Sequence, residues 1–205
     1  MNHKTRSEHG THAIAAIVLA AGQSTRMGGA NKLAAEVHGV PMIAHVVEAL
    51  ERSDLQRIVV VTGYKSEHVR AILQGFELDF VHNLTYAEGM ASSIRVGIGA
   101  LDNDIVGALI CLGDMPFVPP EVVDSLLLAA LSEKTRSIFV PVFEGRRGNP
   151  VLWRSKHFDE LLGLTGDVGG RQLFDLYDAS ICHVEVSSRN ILIDLDTAEA
   201  FRRAE

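Results

Sequence analysis

Three apolar runs along the chain end on glycine or a polar residue: AIAAIVLAAG over 13–22, RIVVVTG over 57–63 and VGALICLGD over 106–114. Runs that are apolar at successive positions belong to parallel strands covered by helices on both faces. Between them the spacing becomes helical. Residues 41–52 put Ile43, Val46, Val47 and Leu50 on one face, with Pro41 near the start. Residues 66–74 do the same with Val69, Ile72 and Leu73, and residues 90–101 with Ile94, Ile98 and Leu101. Pro119, Pro120 and Glu121 open a fourth helix through Val122, Val123, Leu126 and Leu127. Strand and helix alternate, which predicts an α/β fold with a mainly parallel sheet.

The texture changes after residue 137. SIFVPVF (137–143) and PVLW (150–153) read as two strands joined by the Gly- and Arg-rich turn EGRRGN (144–149). Two short helices are expected next, one ahead of Gly163 and one over 169–177. Strands ICHVEVS (181–187) and ILIDL (191–195) follow, then a closing helix from Thr197. There is no linker, repeat or low-complexity tract. A chain of 205 residues divided in two would leave both halves undersized. The expectation is one domain over 13–205 behind a flexible polar tail, 1–12.

Charge narrows the partners. Lys plus Arg is 19 and Asp plus Glu 26, a formal net charge of −7, which argues against nucleic acid and anionic membranes as partners. A small anionic ligand stays open, because it needs only a local cluster of cations. Cys111 and Cys182 form neither a metal spacing nor a secreted disulfide scaffold. The tail has no apolar core and so does not read as a signal peptide. Its three histidines, His3, His9 and His12, read as a frayed terminus. The longest apolar run falls well short of the roughly 20 residues that span a bilayer. A cytoplasmic protein with no membrane partner is expected.

In an open parallel sheet, ligands bind beyond the carboxyl ends of the strands, and three such ends carry chemistry. LAAGQSTRMGGANK (19–32) holds Gly22, Gly28 and Gly29, the small polar Ser24 and Thr25, and the cations Arg26 and Lys32. Glycines let backbone N–H groups turn toward anionic oxygens, while Arg offers a planar fork and Lys a point charge for phosphate. It is neither a P-loop nor a dinucleotide fingerprint; a solvated surface loop is the plainer alternative. CLGDMP (111–116) holds Asp114 stiffly after a core strand, where one carboxylate plus substrate phosphates suits Mg²⁺. A helix N-cap is the competing role for it. In ILIDLDTAEAF (191–201), Asp194 and Asp196 alternate along the expected strand and would point the same way, although Asp196 also suits an N-cap. No G-x-S-x-G elbow or H-E-x-x-H occurs. The internal histidines His38, His45, His68, His82, His157 and His183 read as surface or edge residues. A reaction without a protein nucleophile, such as phosphoryl or nucleotidyl transfer, fits best.

With GVPMI (39–43), VVVTGY (59–64), NLTYAEGMASSIRVG (83–97), GRRGNPVL (145–152), GDVGGR (166–171) and DLDT (194–197) added in order, the chain from 14 to 201 resembles the nucleotidyltransferases of molybdenum cofactor maturation, in particular the molybdenum cofactor cytidylyltransferases. The resemblance implies a Rossmann-like sheet and transfer of CMP from CTP to the terminal phosphate of molybdopterin or molybdenum cofactor, with release of pyrophosphate. It implies that Leu19, Ala20, Ala21, Gly22, Arg26 and Lys32 hold the triphosphate, and that Gly89, Ser92 and Ser93 lie at the base and ribose. Asp114 would hold Mg²⁺ with Asp194 or Asp196 assisting, and Asp114, Lys32 and Arg26 would carry the catalysis. Arg147, Gly148, Asn149, Asp167, Arg171 and Asp194 would face the acceptor. A molybdoenzyme or its chaperone would receive the product.

Ala21 favours CTP, since guanylyl-transferring relatives more often carry a second glycine there. GRRGNP departs from the resemblance, with Asn149 where some cytidylyltransferases have His, and two arginines in the turn. A guanylyltransferase, another small-molecule phosphate cytidylyltransferase and a non-catalytic molybdenum cofactor carrier are the alternative readings.

Overall fold

A computed structural model describes residues 13–23 and 31–195. The polar tail, Ser24, Thr25, Arg26, Gly28, Gly29, Asp196 and the expected closing helix lie outside the described residues.

The first apolar run forms β1 (Ile14–Ala20). A two-stranded hairpin follows, β2 (Glu36–Val37) and β3 (Val40–Pro41), and leads into α1 (Met42–Glu51). Its tight turn holds His38 and Gly39, at φ 51° and 77°, the left-handed pair that matches hairpin twist. Next come β4 (Arg57–Thr62), α2 (Ser66–Ile72), β5 (Asp79–His82), α3 (Met90–Gly99), β6 (Gly107–Leu112) and α4 (Pro120–Ser132). The last third holds β7 (Ile138–Phe143), β8 (Arg146–Arg147), β9 (Val151–Arg154), α5 (Phe158–Leu162) and β10 (Ile181–Glu185).

Among the described residues one eight-stranded sheet runs β10-β7-β9-β6-β1-β4-β5, with β8 added on β7. The β6–β1–β4–β5 part is parallel, as is β7–β10, while β9 enters antiparallel between β6 and β7. The pleat of β1 explains its unbroken apolar sequence. Ala16, Val18 and Ala20 pack into a core with α1 and α4, whereas Ile17 packs into a second core with α3. Each fully buried aliphatic side chain there contributes about 1.5–3 kcal/mol. From β1 the chain moves outward through β4 to β5 and then returns to β6 on the other side of β1. That reversal opens a crevice at the carboxyl ends of β1 and β6.

The last third departs from expectation in two places. Residues 191–195 are not a strand: a 3₁₀ turn, Arg189–Leu192, leads into an extended stretch with no ladder partner among the described residues. Its backbone bonds go to loops, since Asn149 N donates to the Ile191 carbonyl (3.0 Å) and Leu195 N to that of Asp114 (3.0 Å). The expected helix over 169–177 is only a 3₁₀ turn, Gly170–Leu173. Gly170 lies tight on the Trp153 ring, where an added Cβ would come within 2.8 Å of Cζ2. The strand β5 and the β2–β3 hairpin were not anticipated.

His157 is not a surface residue. It is buried, shares a 2.8 Å hydrogen bond through Nε2 with Ser137 Oγ, and lies edge-on to Tyr177 and Trp153. Burial holds its pKa below the ordinary 6.5, against the opposing pull of Glu160. The unfolded chain therefore takes up the proton first, so this contribution to stability is complete above about pH 6.5 and is lost as pH falls through that value. Urea melts between pH 7.5 and 5.5 should show a smaller stability loss for His157→Gln than for the wild type. Equal losses would remove His157 as the source.

Candidate active site

The site is built at the crevice between β1 and β6. Beyond β1 the chain turns over the sheet edge at Ala20, Ala21 and Gly22, with both alanines buried and Gly22 exposed. The end of β4 closes against this turn. A Cβ on Gly63 would come within 2.8 Å of Ala21 Cβ and 2.7 Å of Tyr86 Cβ, so only glycine lets the three segments meet.

Lys32 is positioned from below. Asn31, nearly buried, caps a 3₁₀ turn over Lys32–Ala34 by accepting from Leu33 N (3.1 Å), and Leu33 anchors the turn in the core. On the other side of the crevice Gly113 ends β6 by donating to the Leu19 carbonyl (3.1 Å). Any Cβ there would stand 2.9 Å from that same oxygen. Asp114 follows directly. Lys32 Nζ and Asp114 Oδ2 meet at 2.6 Å, with side chains only 16% and 18% exposed. The helix-cap alternative for Asp114 is excluded: α4 starts from Pro119 and has no side-chain cap.

Asp194 reaches the same edge by a route other than the expected strand. Asn190 Nδ2 donates to the Phe117 carbonyl (2.8 Å), Ile191 and Leu195 are buried, and Leu195 N donates to the backbone of Asp114. The exposed Asp194 stands between these anchors. Gly148 and Asn149 lie along the same segment. A Cβ on Gly148 would come within 2.5 Å of the Ile191 carbonyl, and Asn149 N bonds that oxygen. The segment 191–195, which carries Asp194, is thus tied at one end to Asn149 and at the other to Asp114.

Arg147 turns elsewhere. Its Nε donates to His183 Nε2 (2.9 Å), its NH2 lies 3.4 Å from Asp178 Oδ1, and its guanidinium stands 5.5 Å from the Phe174 ring centroid. The proposed acceptor cation is therefore shared with an exposed carboxylate and an aromatic face. Arg171 is exposed in its 3₁₀ turn.

Gly89 and Asp167, expected in separate subsites, touch. Asp167 Oδ1 accepts from Met90 N (3.1 Å) and the Gly166 carbonyl from Ala91 N (3.2 Å). Asp167 caps α3, a helix 77 residues away in sequence, and not a helix of its own. Ser92 and Ser93 are buried, and their hydroxyls accept from Asn83 Nδ2 at 2.8 and 3.1 Å. Ser92 Oγ in turn donates to the Gly89 carbonyl (2.8 Å). Asn83, fully buried, also accepts through Oδ1 from Thr85 N (2.9 Å) and Oγ1 (3.1 Å). Sequence reading missed Asn31 and Asn83. The signal for Asn83 is the Asn-x-Thr step, in which an Asn side chain bonds the backbone two residues on.

A divalent cation would find hard oxygen donors at Asp114 and Asp194, which lie on backbone tied together by the Leu195 N–Asp114 bond. Among the described residues no group of three or more His, Cys, Asp or Glu side chains converges. Mg²⁺ is commonly held by one or two carboxylates plus substrate phosphates, so the residues fit that ion.

A mostly parallel sheet with flanking helices thus carries, at its switch point, a cation facing a carboxylate. Residues 16–181 match the MobA-like NTP transferase domain, and the chain belongs to that family. The molybdenum cofactor cytidylyltransferase of Escherichia coli is 26% identical over 94% of this chain and 96% of its own. The bifunctional protein GlmU of Symbiobacterium thermophilum is 36% identical over 120 residues, 57% of this chain; the match spans only 25% of that protein. The crystal structure of Rv0371c from Mycobacterium tuberculosis H37Rv shares the fold, with a TM-score of 0.82 at 24% identity, covering 94% of this chain and 98% of that one. A manganese complex of Rv0371c superposes at 0.76, with 21% identity over 94% and 97% of the two chains. No helix among the described residues is long and apolar enough to cross a membrane.

Proposed function

We propose that this protein is a cytidylyltransferase that moves CMP from CTP to the phosphate of molybdopterin or molybdenum cofactor. The observation that carries the reading is the Lys32–Asp114 pair at 2.6 Å across the β1–β6 crevice, with Asp194 on adjoining backbone. The cytidylyltransferase of E. coli, matched along nearly its whole length, supports the choice of base and acceptor.

In this reading an acceptor phosphate oxygen attacks the α-phosphorus of CTP. The new P–O bond forms as the bond from the α-phosphorus to the bridging oxygen breaks, and pyrophosphate leaves with that electron pair. The nucleophile is already ionised at neutral pH, so no general base is needed. Lys32 binds the triphosphate and stabilises charge moving onto the leaving pyrophosphate. The backbone at Ala20–Gly22 lines the phosphate cradle. Asn83 fixes Ser92 and Ser93 beneath the nucleoside end, and Gly148 and Asn149 present the acceptor side. Asp114 and Asp194 would hold Mg²⁺, which when bound supplies charge neutralisation at the α- and β-phosphates.

Thermal shift with each nucleoside triphosphate and Mg²⁺ tests the reading. CTP at one hundred times its Kd should stabilise by about 2.7 kcal/mol, and ATP, GTP and UTP by less. A larger shift with GTP would support the guanylyltransferase alternative. No response to any nucleotide would favour a carrier without transfer activity.

A further inference from the structure

We propose that Lys32 closes the metal site until a nucleotide arrives, so that the divalent cation enters with the triphosphate and not ahead of it. The inference rests on the reading of Asp114 as a metal ligand. The backbone under each side chain is fixed independently: that of Lys32 by the Asn31 cap and the buried Leu33, that of Asp114 by the close approach at Gly113 and the bond from Leu195 N. Their 2.6 Å contact therefore joins two separately anchored elements.

A bare cation approaching Asp114 meets a positive charge one hydrogen bond away from the oxygen it needs. With both side chains more than four-fifths shielded from solvent, that repulsion is weakly screened. A triphosphate reverses the balance. The lysine ammonium is a point charge with three donors on a flexible stem, so it can swing from carboxylate to phosphate oxygens while the backbone stays fixed. Asp114 is then released to the cation the phosphates carry, and Asp194, one residue from the Leu195 N–Asp114 bond, supplies a second oxygen donor. Metal and nucleotide affinities become coupled, and each ligand strengthens the other by the same factor.

Manganese binding, followed by the electron paramagnetic resonance of free Mn²⁺, reads this without turnover. Wild-type protein should bind Mn²⁺ at least tenfold more tightly with a non-hydrolysable CTP analogue than without it, after correction for chelation by the analogue. Without nucleotide, Lys32→Gln should bind Mn²⁺ at least tenfold more tightly than wild type, and Lys32→Arg, which keeps the charge, should stay weak. Arg57→Gln removes the same charge from the amino end of β4, where Arg57 pairs with Asp79 and Asp102, and should change Mn²⁺ affinity by less than twofold. Lys32→Gln within twofold of wild type, or Arg57→Gln tightening as much as Lys32→Gln, overturns the proposal. Wild-type Mn²⁺ affinity in Asp114→Asn with the analogue present overturns the metal-ligand reading itself.

Discussion

Asp114→Ala should lower kcat/KM for nucleotidyl transfer by roughly 10²–10³-fold or more, the scale of losing one preorganised charge at a reacting centre. Among the described residues the Asp114 side chain pairs with Lys32 and is not part of the bonds that hold the loop. It caps no helix, and the bond it accepts from Leu195 N is made by its backbone carbonyl, which the substitution keeps. Asp114→Asn separates fold from chemistry further, because its amide oxygen still accepts from Lys32. Both variants should melt cooperatively and both should be nearly inactive. Near-normal turnover of either at millimolar Mg²⁺ would end the assignment of Asp114 to the metal.

Gly89→Ala is expected to damage both stability and substrate binding. Gly89 has φ 104°, and a Cβ there would stand 2.6 Å from Asp167 Cα and 2.8 Å from its N. The backbone conformation alone costs on the order of 1–3 kcal/mol for a residue with a side chain, and the contact is backbone, which cannot rotate away. To make room, the 166–167 segment must leave the start of α3, and two bonds to Met90 N and Ala91 N weaken with it. The same movement pulls on the Gly89 carbonyl bonded to Ser92. A loss of about 2–4 kcal/mol lowers Tm by roughly 5–15 °C in a chain of this size, and KM for the nucleotide rises. A Tm within a degree of wild type, with KM unchanged, would show that the two segments are not locked together.

How far these sites were legible follows from where their partners lie. The strands β1, β4 and β6 were readable because both faces are buried, which leaves an unbroken apolar run. The edge strand β5 was not, because Asp79 and His82 are exposed and only four residues pair. ILIDL alternates as a strand would, yet its backbone is satisfied by Asn149 and Asp114, contacts that no local pattern encodes. The chemistry of Lys32 and Asp114 could be named from type and place after a core strand, but not their contact across 82 residues. Arg147, expected on a turn, lies in the short strand β8, and the Phe174, Asp178 and His183 it meets are 27 to 36 residues on in sequence. Asn83 was hidden for the opposite reason: a buried amide with four partners looks, in sequence, like any loop asparagine.

The most direct test of the central claim is transfer of label from CTP carrying an α-³²P phosphate, with Mg²⁺ and molybdopterin, bare or molybdenum-loaded. CMP label should appear on the acceptor in step with pyrophosphate release, faster than with any other nucleoside triphosphate. Label transferred only from GTP, or pyrophosphate released without labelled acceptor, would contradict the account.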